Sequence, residues 1–270
     1  MIPLLRAAHL LPTVAVTTVT TALAVSAGRG PESVWVGLAV LAGQLSVGWS
    51  NDYLDRERDR ATGRLDKPIV AGAVAASTVR AAACLALVAC VPLSFLSGWR
   101  AALVHLGAVG FAWSYNAALK QGPWSVVPYT VSFGALPAFV TLGLPGHPWP
   151  PAWAVAASAL LGSGAHLVNA LPDLDADRSV GIRGLPHRLG HVRSLLVAAL
   201  LMGTAVAIAA LAPPGDIDGV GVVLLVGACA AVGGVIVAGF THRERTAWWC
   251  TLAVAASGVG LLVERGHALV

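Results

Sequence analysis

Apolar runs of membrane-spanning length, separated by brief polar intervals, make up almost all of this chain. A hydrocarbon core about 30 Å thick needs roughly 20 apolar residues in helical form. Runs of that order lie at 7–28, 33–50, 69–90, 101–119, 123–143, 152–171, 194–212, 220–240 and 247–263. The pattern predicts an all-α membrane protein of about nine transmembrane helices, one domain over residues 1–270. Pro12, Pro128 and Pro137 fall inside these runs, where neighbouring helices can satisfy the freed backbone, so kinks are expected there and not ends. The first run follows Arg6 as a signal peptide would, but its length and the spans after it predict a retained helix.

Composition removes the soluble alternative. Only 11% of residues are charged and 57% are hydrophobic, with a mean hydropathy of +0.76, whereas soluble domains carry about 25% charged residues. The +4 net charge does not signal nucleic acid, because the basic residues sit between apolar runs and form no patch with interleaved aromatics. They read as topology. With a cytoplasmic N-terminus, Arg6, segment 51–67, Lys120, segment 172–193 and segment 241–246 hold 13 of the 17 Lys and Arg residues. Arg29, Arg100 and Arg265 fall opposite, and Arg80 falls within a run. The bias predicts a multi-pass protein of the cell membrane with its C-terminus on the opposite side. Cys84, Cys90, Cys229 and Cys250 lie in or beside apolar runs without ligand or disulfide spacing, and read as packing residues.

Two polar intervals break this economy of charge, "NDYLDRERDR" at Asn51–Arg60 and "PDLDADRSVGIRGLPHR" from Pro172. On a helix, Asp52, Asp55 and Asp59 share one narrow sector while Glu57 points elsewhere. Asp173 and Asp177 are likewise one turn apart, with Asn169 a turn earlier and Asp175 directed away. Stacked like charges repel, most strongly near hydrocarbon, and a divalent cation relieves that. Oxygen ligands without a His or Cys set favour Mg²⁺, which commonly binds a few carboxylates together with substrate phosphates. Two such clusters on one side suggest a shared diphosphate, its oxygens neutralised by Arg56, Arg60, Arg64 and Lys67 and by Arg178, Arg183 and Arg188. The plainer alternative is that these cations mark the inner membrane surface and pair with local acids.

The apolar body suits an isoprenoid tail, so the substrate expected is a prenyl diphosphate. A third polar stretch, "FAWSYNAALKQGPW", offers Tyr115 and Asn116 to orient an acceptor and Lys120 to hold diphosphate; Tyr115 reads equally well as an interfacial aromatic. Phe111 and Trp113 are expected to pack in the core, and His105 and His166 to hydrogen-bond there. His187, His191 and His242 are expected at the aqueous boundary.

These segments carry a family resemblance. "NDYLDRERDRATGRLDKPIVAG" resembles the NDxxDxxxD motif of the UbiA superfamily of intramembrane prenyltransferases through Asn51, Asp52, Asp55 and Asp59. "NALPDLDADRSVGIRGLPHRLG" resembles its second motif, with Asp173 and Asp177 as the DxxxD pair, and "SYNAALKQG" its Tyr- and Lys-containing segment. The resemblance implies nine helices around a central cavity with both motifs at its cytoplasmic end. It implies Mg²⁺-dependent prenyl transfer from a prenyl diphosphate to an aromatic or lipid-soluble acceptor. By it, Asp52, Asp55, Asp59, Asp173 and Asp177 coordinate the metal–diphosphate assembly, Lys67 and Lys120 help hold the diphosphate, and Arg64 pairs with Lys67 as a basic element. Asn51, Tyr115, Asn116 and Asn169 are the acceptor or pocket candidates. One departure stands out: Ala170 follows Asn169 where many members carry Asp, so one carboxylate is missing. Two rival readings use the same residues differently, a membrane terpene cyclase and a transporter.

Overall fold

A computed structural model describes residues 2–241 and 243–270, with the side chains at 175, 176, 179 and 244 outside the description. The boundary position expected for His242 and the facing expected for Asp175 therefore lie outside the described residues. All regular structure among the described residues is helical: α1 (Ile2–Arg6), α2 (Leu10–Ser26), α3 (Ser33–Ala61), α4 (Ala76–Phe95), α5 (Trp99–Ala117), α6 (Val127–Gly134), α7 (Leu136–Thr141), α8 (Ala152–Asn169), α9 (Leu174–Ser179), α10 (Leu185–Leu189), α11 (His191–Leu211), α12 (Gly219–Phe240) and α13 (Glu244–Glu264).

Small residues set how closely these helices approach, as expected where no hydrophobic difference separates side chains from lipid. Gly164 of α8 faces Met202 of α11, where a β-carbon would collide with the Met side chain. Ala157 and Leu161 of α8 join Ala198, Ala205 and Ala209 of α11 in one buried cluster. Helix α12 buries only Gly221, Ala228, Val235 and Ala238, mostly a stripe at seven-residue spacing, and leaves Val223, Val226, Val237 and Phe240 exposed. An apolar face of that size fits lipid contact.

Among the described residues six helical segments are long and apolar enough to cross a membrane, at 30–61, 76–95, 152–173, 191–211, 219–240 and 245–269, and α2 is a shorter apolar helix. The expected count of about nine therefore does not follow from length and composition. The run at 123–143 is a one-turn 3-10 helix and two short α-helices joined through Ala135, with Pro128 and Pro137 in the first turns of the two. Pro128 sits where an N–H has no intrahelical partner, so it starts a helix and does not kink one; at Pro137 the chain stays helical through Ala135 while the bond ladder is interrupted, which is the kink expected there. Helix α4 begins seven residues later than the run at 69–90, after a turn-rich segment around Gly63, Pro68 and Gly72. Arg80 consequently sits near the start of α4, its guanidinium 5.8 Å from the Tyr53 ring centroid on α3. It belongs with the basic end of the molecule.

At the other end a single cation organises a loop. Arg265 is 2% exposed and donates to the carbonyls of Pro213, Pro214, Gly215 and Asp216 at 2.8–3.3 Å. Replacing it with Met should strand these acceptors and destabilise the protein by about 2–4 kcal/mol, measured as a lower Tm in detergent. Arg265→Lys should recover only part, because one ammonium cannot span four carbonyls.

Candidate functional site

The first acid cluster is not a loop after a span but the end of the span's own helix. Helix α3 runs 29 residues, about 43 Å at 1.5 Å per residue, more than hydrocarbon alone requires. Its last turns carry Asp52, Asp55 and Asp59 as one buried row, 2%, 7% and 7% exposed, while Glu57 is exposed. Arg60 bonds Glu57 at 2.8 Å, and Arg56 donates to the Tyr53 carbonyl at 2.7 Å and lies over its ring. These two candidates thus stand with Glu57, away from the acid row. Arg58, which the sequence reading passed over, pairs with Asp55 at 2.5 Å. Its i, i+3 spacing from Asp55 was the available signal.

The second cluster departs from the continuous helix expected there. Helix α8 ends at Asn169, a one-turn 3-10 helix covers Leu171–Asp173, and α9 starts at Leu174. Pro172 has no N–H and cannot continue a ladder. Asn169 is therefore not one helical turn before Asp173; it lies near the Tyr129 hydroxyl instead. Asp173 accepts from Arg64 at 2.8 Å, and Arg64 also grips Asp66 through two bonds of 2.9 Å. Asp66 and then Asp173 hold the Arg64 guanidinium above its ordinary pKa, against the effect of burial, with a further contribution from Asp59. Arg64 in turn holds Asp66 below the usual carboxylate range. His187 contacts Asp177 at 3.2 Å, and Arg178 donates to the His187 carbonyl at 2.9 Å. Arg183 and Arg188 are exposed; Arg188 bonds the Arg183 carbonyl.

Lys120 lies between the two clusters. In a one-turn 3-10 helix at Leu119–Gln121 and 7% exposed, it forms an ion pair with Asp55. Burial lowers its pKa, opposed first by Asp55 and more weakly by Asp177. The two motifs, far apart in the chain, meet at one end of the helical body through Arg64 and Lys120.

Amides tie the acid row to α5. Asn51 donates to Asp55 at 3.2 Å and to Asn116 at 3.1 Å; Asn116 donates to Ser50 and to the Val47 carbonyl. Tyr115 packs edge-on against Tyr129 at 5.2 Å and His166 at 5.6 Å. His166 bonds Ser125 at 2.9 Å and His105 bonds Ser94 at 2.8 Å, the core hydrogen bonding expected of both. Trp113 is half-buried and donates to Ser46, but Phe111 is 40% exposed, so core packing does not describe it.

An open cavity of about 510 Å³, lined by Leu54, Asp55, Arg58, Asn116, Lys120 and Val180 among others, is of the size that takes a small molecule. Among the described residues no three His, Cys, Asp or Glu side chains converge to hold a metal unaided. Asp52, Asp55 and Asp173 are each neutralised by protein cations. One oxygen, Asp52 Oδ2, is buried without a partner. This all-oxygen set suits Mg²⁺ held jointly with ligand oxygens, not a closed protein cage.

Comparison with known proteins gives a consistent relationship. The model of the UbiA prenyltransferase family matches residues 14–258. The bacteriochlorophyll synthase 33 kDa chain of Cereibacter sphaeroides is 32% identical over 199 residues, 67% of this chain and 64% of that relative. This chain thus matches less than two thirds of that relative's length. Two structures of a UbiA homolog from Archaeoglobus fulgidus superpose over nearly the whole chain. The one bound to GPP and Mg²⁺ gives a TM-score of 0.68 at 18% identity, covering 99% of both chains. The one bound to DMAPP and Mg²⁺ gives 0.67 at 17% identity, covering 96% of this chain and 98% of the other.

Proposed function

Because the chain belongs to the UbiA prenyltransferase family, we propose that it transfers a prenyl group from a prenyl diphosphate to an aromatic or lipid-soluble acceptor. The observation that carries this reading is Lys120, a buried cation paired with Asp55 and within the influence of Asp177 at the mouth of an apolar helical body. That arrangement brings anion-binding and metal-binding groups to one opening.

Asp55, Asp59, Asp173 and Asp177 would hold Mg²⁺ against the diphosphate, with Asp52 beside them; the bound cation supplies charge that stabilises a departing diphosphate. Lys120, Arg58 and Arg64 already face the carboxylates, and turn their donors onto diphosphate oxygens when that anion enters. Lys67 stands behind Asp52. These donors act where negative charge develops as the prenyl C–O bond breaks. The tail lies among the helices, which keep water from the allylic cation. Tyr115 and Tyr129, packed edge-on against each other, are the aromatic rings that would support such a cation. A bond then forms from the acceptor to the prenyl carbon, and the acceptor's proton leaves to released diphosphate or a pocket group. Arg183, Arg188, Arg56 and Arg60 take no direct part in this scheme; they serve the basic surface.

The protein is read as a multi-pass integral membrane protein with the motif end cytoplasmic. The Lys and Arg bias supports this, with Arg80 now added to that end.

The test is product analysis by mass spectrometry, using purified protein, Mg²⁺ and prenyl diphosphates of several lengths, first without acceptor and then with aromatic and lipid acceptors. Prenylated acceptor is the expected product. A cyclic hydrocarbon in the acceptor-free arm would instead identify a cyclase. No turnover, together with solute flux in liposomes that survives Asp55→Ala, would identify transport.

A further inference from the structure

One side chain reaches the acid row from an element to which no role has been given: His9, at the break between α1 and α2. Its backbone is left-handed, at φ 52° and ψ 61°, a conformation uncommon for a residue with a β-carbon and held only when the surroundings impose it. The surroundings are specific. Ala7 and Ala8 are fully buried, the Ala8 carbonyl accepts from Thr13 at 2.9 Å, and the Trp49 indole donates to the Leu4 carbonyl at 2.8 Å. Gly48 of α3 lets the Ala8 carbonyl sit where any β-carbon would collide with it. The break is thereby seated directly on α3, one turn before Asp52.

Seated there, His9 Nε2 lies 3.0 Å from Asp52 Oδ1. An ionised carboxylate only accepts, so the bond to Asp52 needs the tautomer with hydrogen on Nε2; the other tautomer accepts from Lys67 instead. Lys67 Nζ donates to the same oxygen at 2.8 Å and stands 3.2 Å from Nε2. Two donors thus converge on Oδ1, while Oδ2 of the same carboxylate is buried and partnerless. Of the two partnerless buried carboxylate oxygens among the described residues, Asp52 Oδ2 and Glu264 Oε2, the first is the one that belongs to the acid row, next to the residues that would hold the cation.

We infer that His9 is a positioning residue for Asp52: with Lys67 it occupies Oδ1, fixes the rotation of the carboxylate, and so presents Oδ2 to the cation of the diphosphate complex or to a water bound on that cation. The inference rests on the prenyl-diphosphate reading. It gives the α1–α2 break a part in the site that neither acid motif contains.

The experiment measures binding as well as turnover. Purified protein in detergent is titrated with Mn²⁺ in the presence of a non-reactive thiolo analogue of a prenyl diphosphate, free Mn²⁺ being read by EPR, alongside Tm and the Mg²⁺ dependence of turnover. His9→Ala should weaken Mn²⁺ binding about tenfold, the lower end of what loss of a ligand-orienting partner costs. His9→Gln, which keeps an N–H donor, should recover most of it. In an Asp52→Asn background, His9→Ala should cause no further loss, because the two act through one contact. If His9→Ala lowers Tm but binds Mn²⁺ as the wild type does, or if its effect persists undiminished in Asp52→Asn, His9 is only a brace and the inference falls. Should His9→Ala not fold, His9→Gln and the Asp52→Asn pair decide by the same criteria. Asp55→Asn and Asp177→Asn serve as the separate check on the underlying reading. Analogue binding that survives both would overturn that reading and the inference with it, whereas loss in both with wild-type behaviour of the His9 variants overturns the inference alone.

Discussion

Asp55→Asn should lower prenyl transfer by at least about 100-fold, the scale on which removal of one preorganised electrostatic group acts, while Glu57→Gln should stay within about twofold of wild type. Three donors meet at the Asp55 carboxylate: Lys120, Arg58 at 2.5 Å and Asn51 at 3.2 Å. Asparagine keeps the shape and removes the charge. Lys120 and Arg58 then face an amide, two cations lose their counter-charge in a buried place, and a metal–diphosphate complex loses an anionic ligand. Glu57, two residues on, borders the same cavity but is exposed and paired with exposed Arg60, so it lies off the buried row and outside the grip of Lys120 and Arg58. Initial rates of diphosphate release in the two variants make the comparison. Equal losses would mean that bulk negative charge matters and helix facing does not, and a wild-type rate in Asp55→Asn would remove that residue from the site.

Lys120→Met should be comparably severe for turnover and harsher on stability. Lys120 is the buried cation of the cavity wall, and its loss leaves Asp55 with Arg58 as its one cationic partner, in a place where desolvation makes an under-compensated charge costly; about 3 kcal/mol, the lower end for a broken buried pair, is expected. The double variant Lys120→Met/Asp55→Asn separates the two roles. Removing both charges should restore much of the Tm lost in Lys120→Met, because no under-compensated buried carboxylate remains and Arg58, the more exposed partner, can turn to water. It should restore no turnover, because neither the diphosphate donor nor the anionic ligand returns. Thermal melts and diphosphate release on the same preparations read both. Recovery of turnover with Tm would reduce the pair to a structural salt bridge. Lys120→Arg is not expected to rescue, since a planar fork does not fit the space of a point charge.

The facing of Asp52, Asp55 and Asp59 could be read from spacing because backbone geometry alone fixes which side chains share a sector once a helix exists. The ends of helices were less legible. Charge at Asn51–Arg60 suggested that a span had finished, yet α3 continues through it, since polar residues are tolerated in a helix that has left the hydrocarbon. Hydrophobicity at 123–143 suggested one apolar run, and Pro137 divides it into two short helices joined through Ala135. Asn169 was placed one turn before Asp173 by counting along a helix that Pro172 ends. Arg58 had a readable i, i+3 relation to Asp55, but its pairing was no more evident than that of Arg56 or Arg60 with their own neighbours. His9 carried no signal at all, because a left-handed residue over Gly48 is visible only when two helices are seen in contact.

By itself, then, the sequence determined the class of solvent, the all-helical architecture, the residue types of the acid clusters and the helical sector of the first. All of these depend on transfer of side chains out of water or on the geometry of one helix, which are local quantities. Tertiary structure decided which charges meet. The contacts of Arg64 with Asp173, Lys120 with Asp55 and His9 with Asp52 bridge 109, 65 and 43 positions of chain. Such contacts are set by how closely small residues let helices approach and by where each helix stops, because within hydrocarbon packing and polar pairing, not further burial, choose a helix's neighbours.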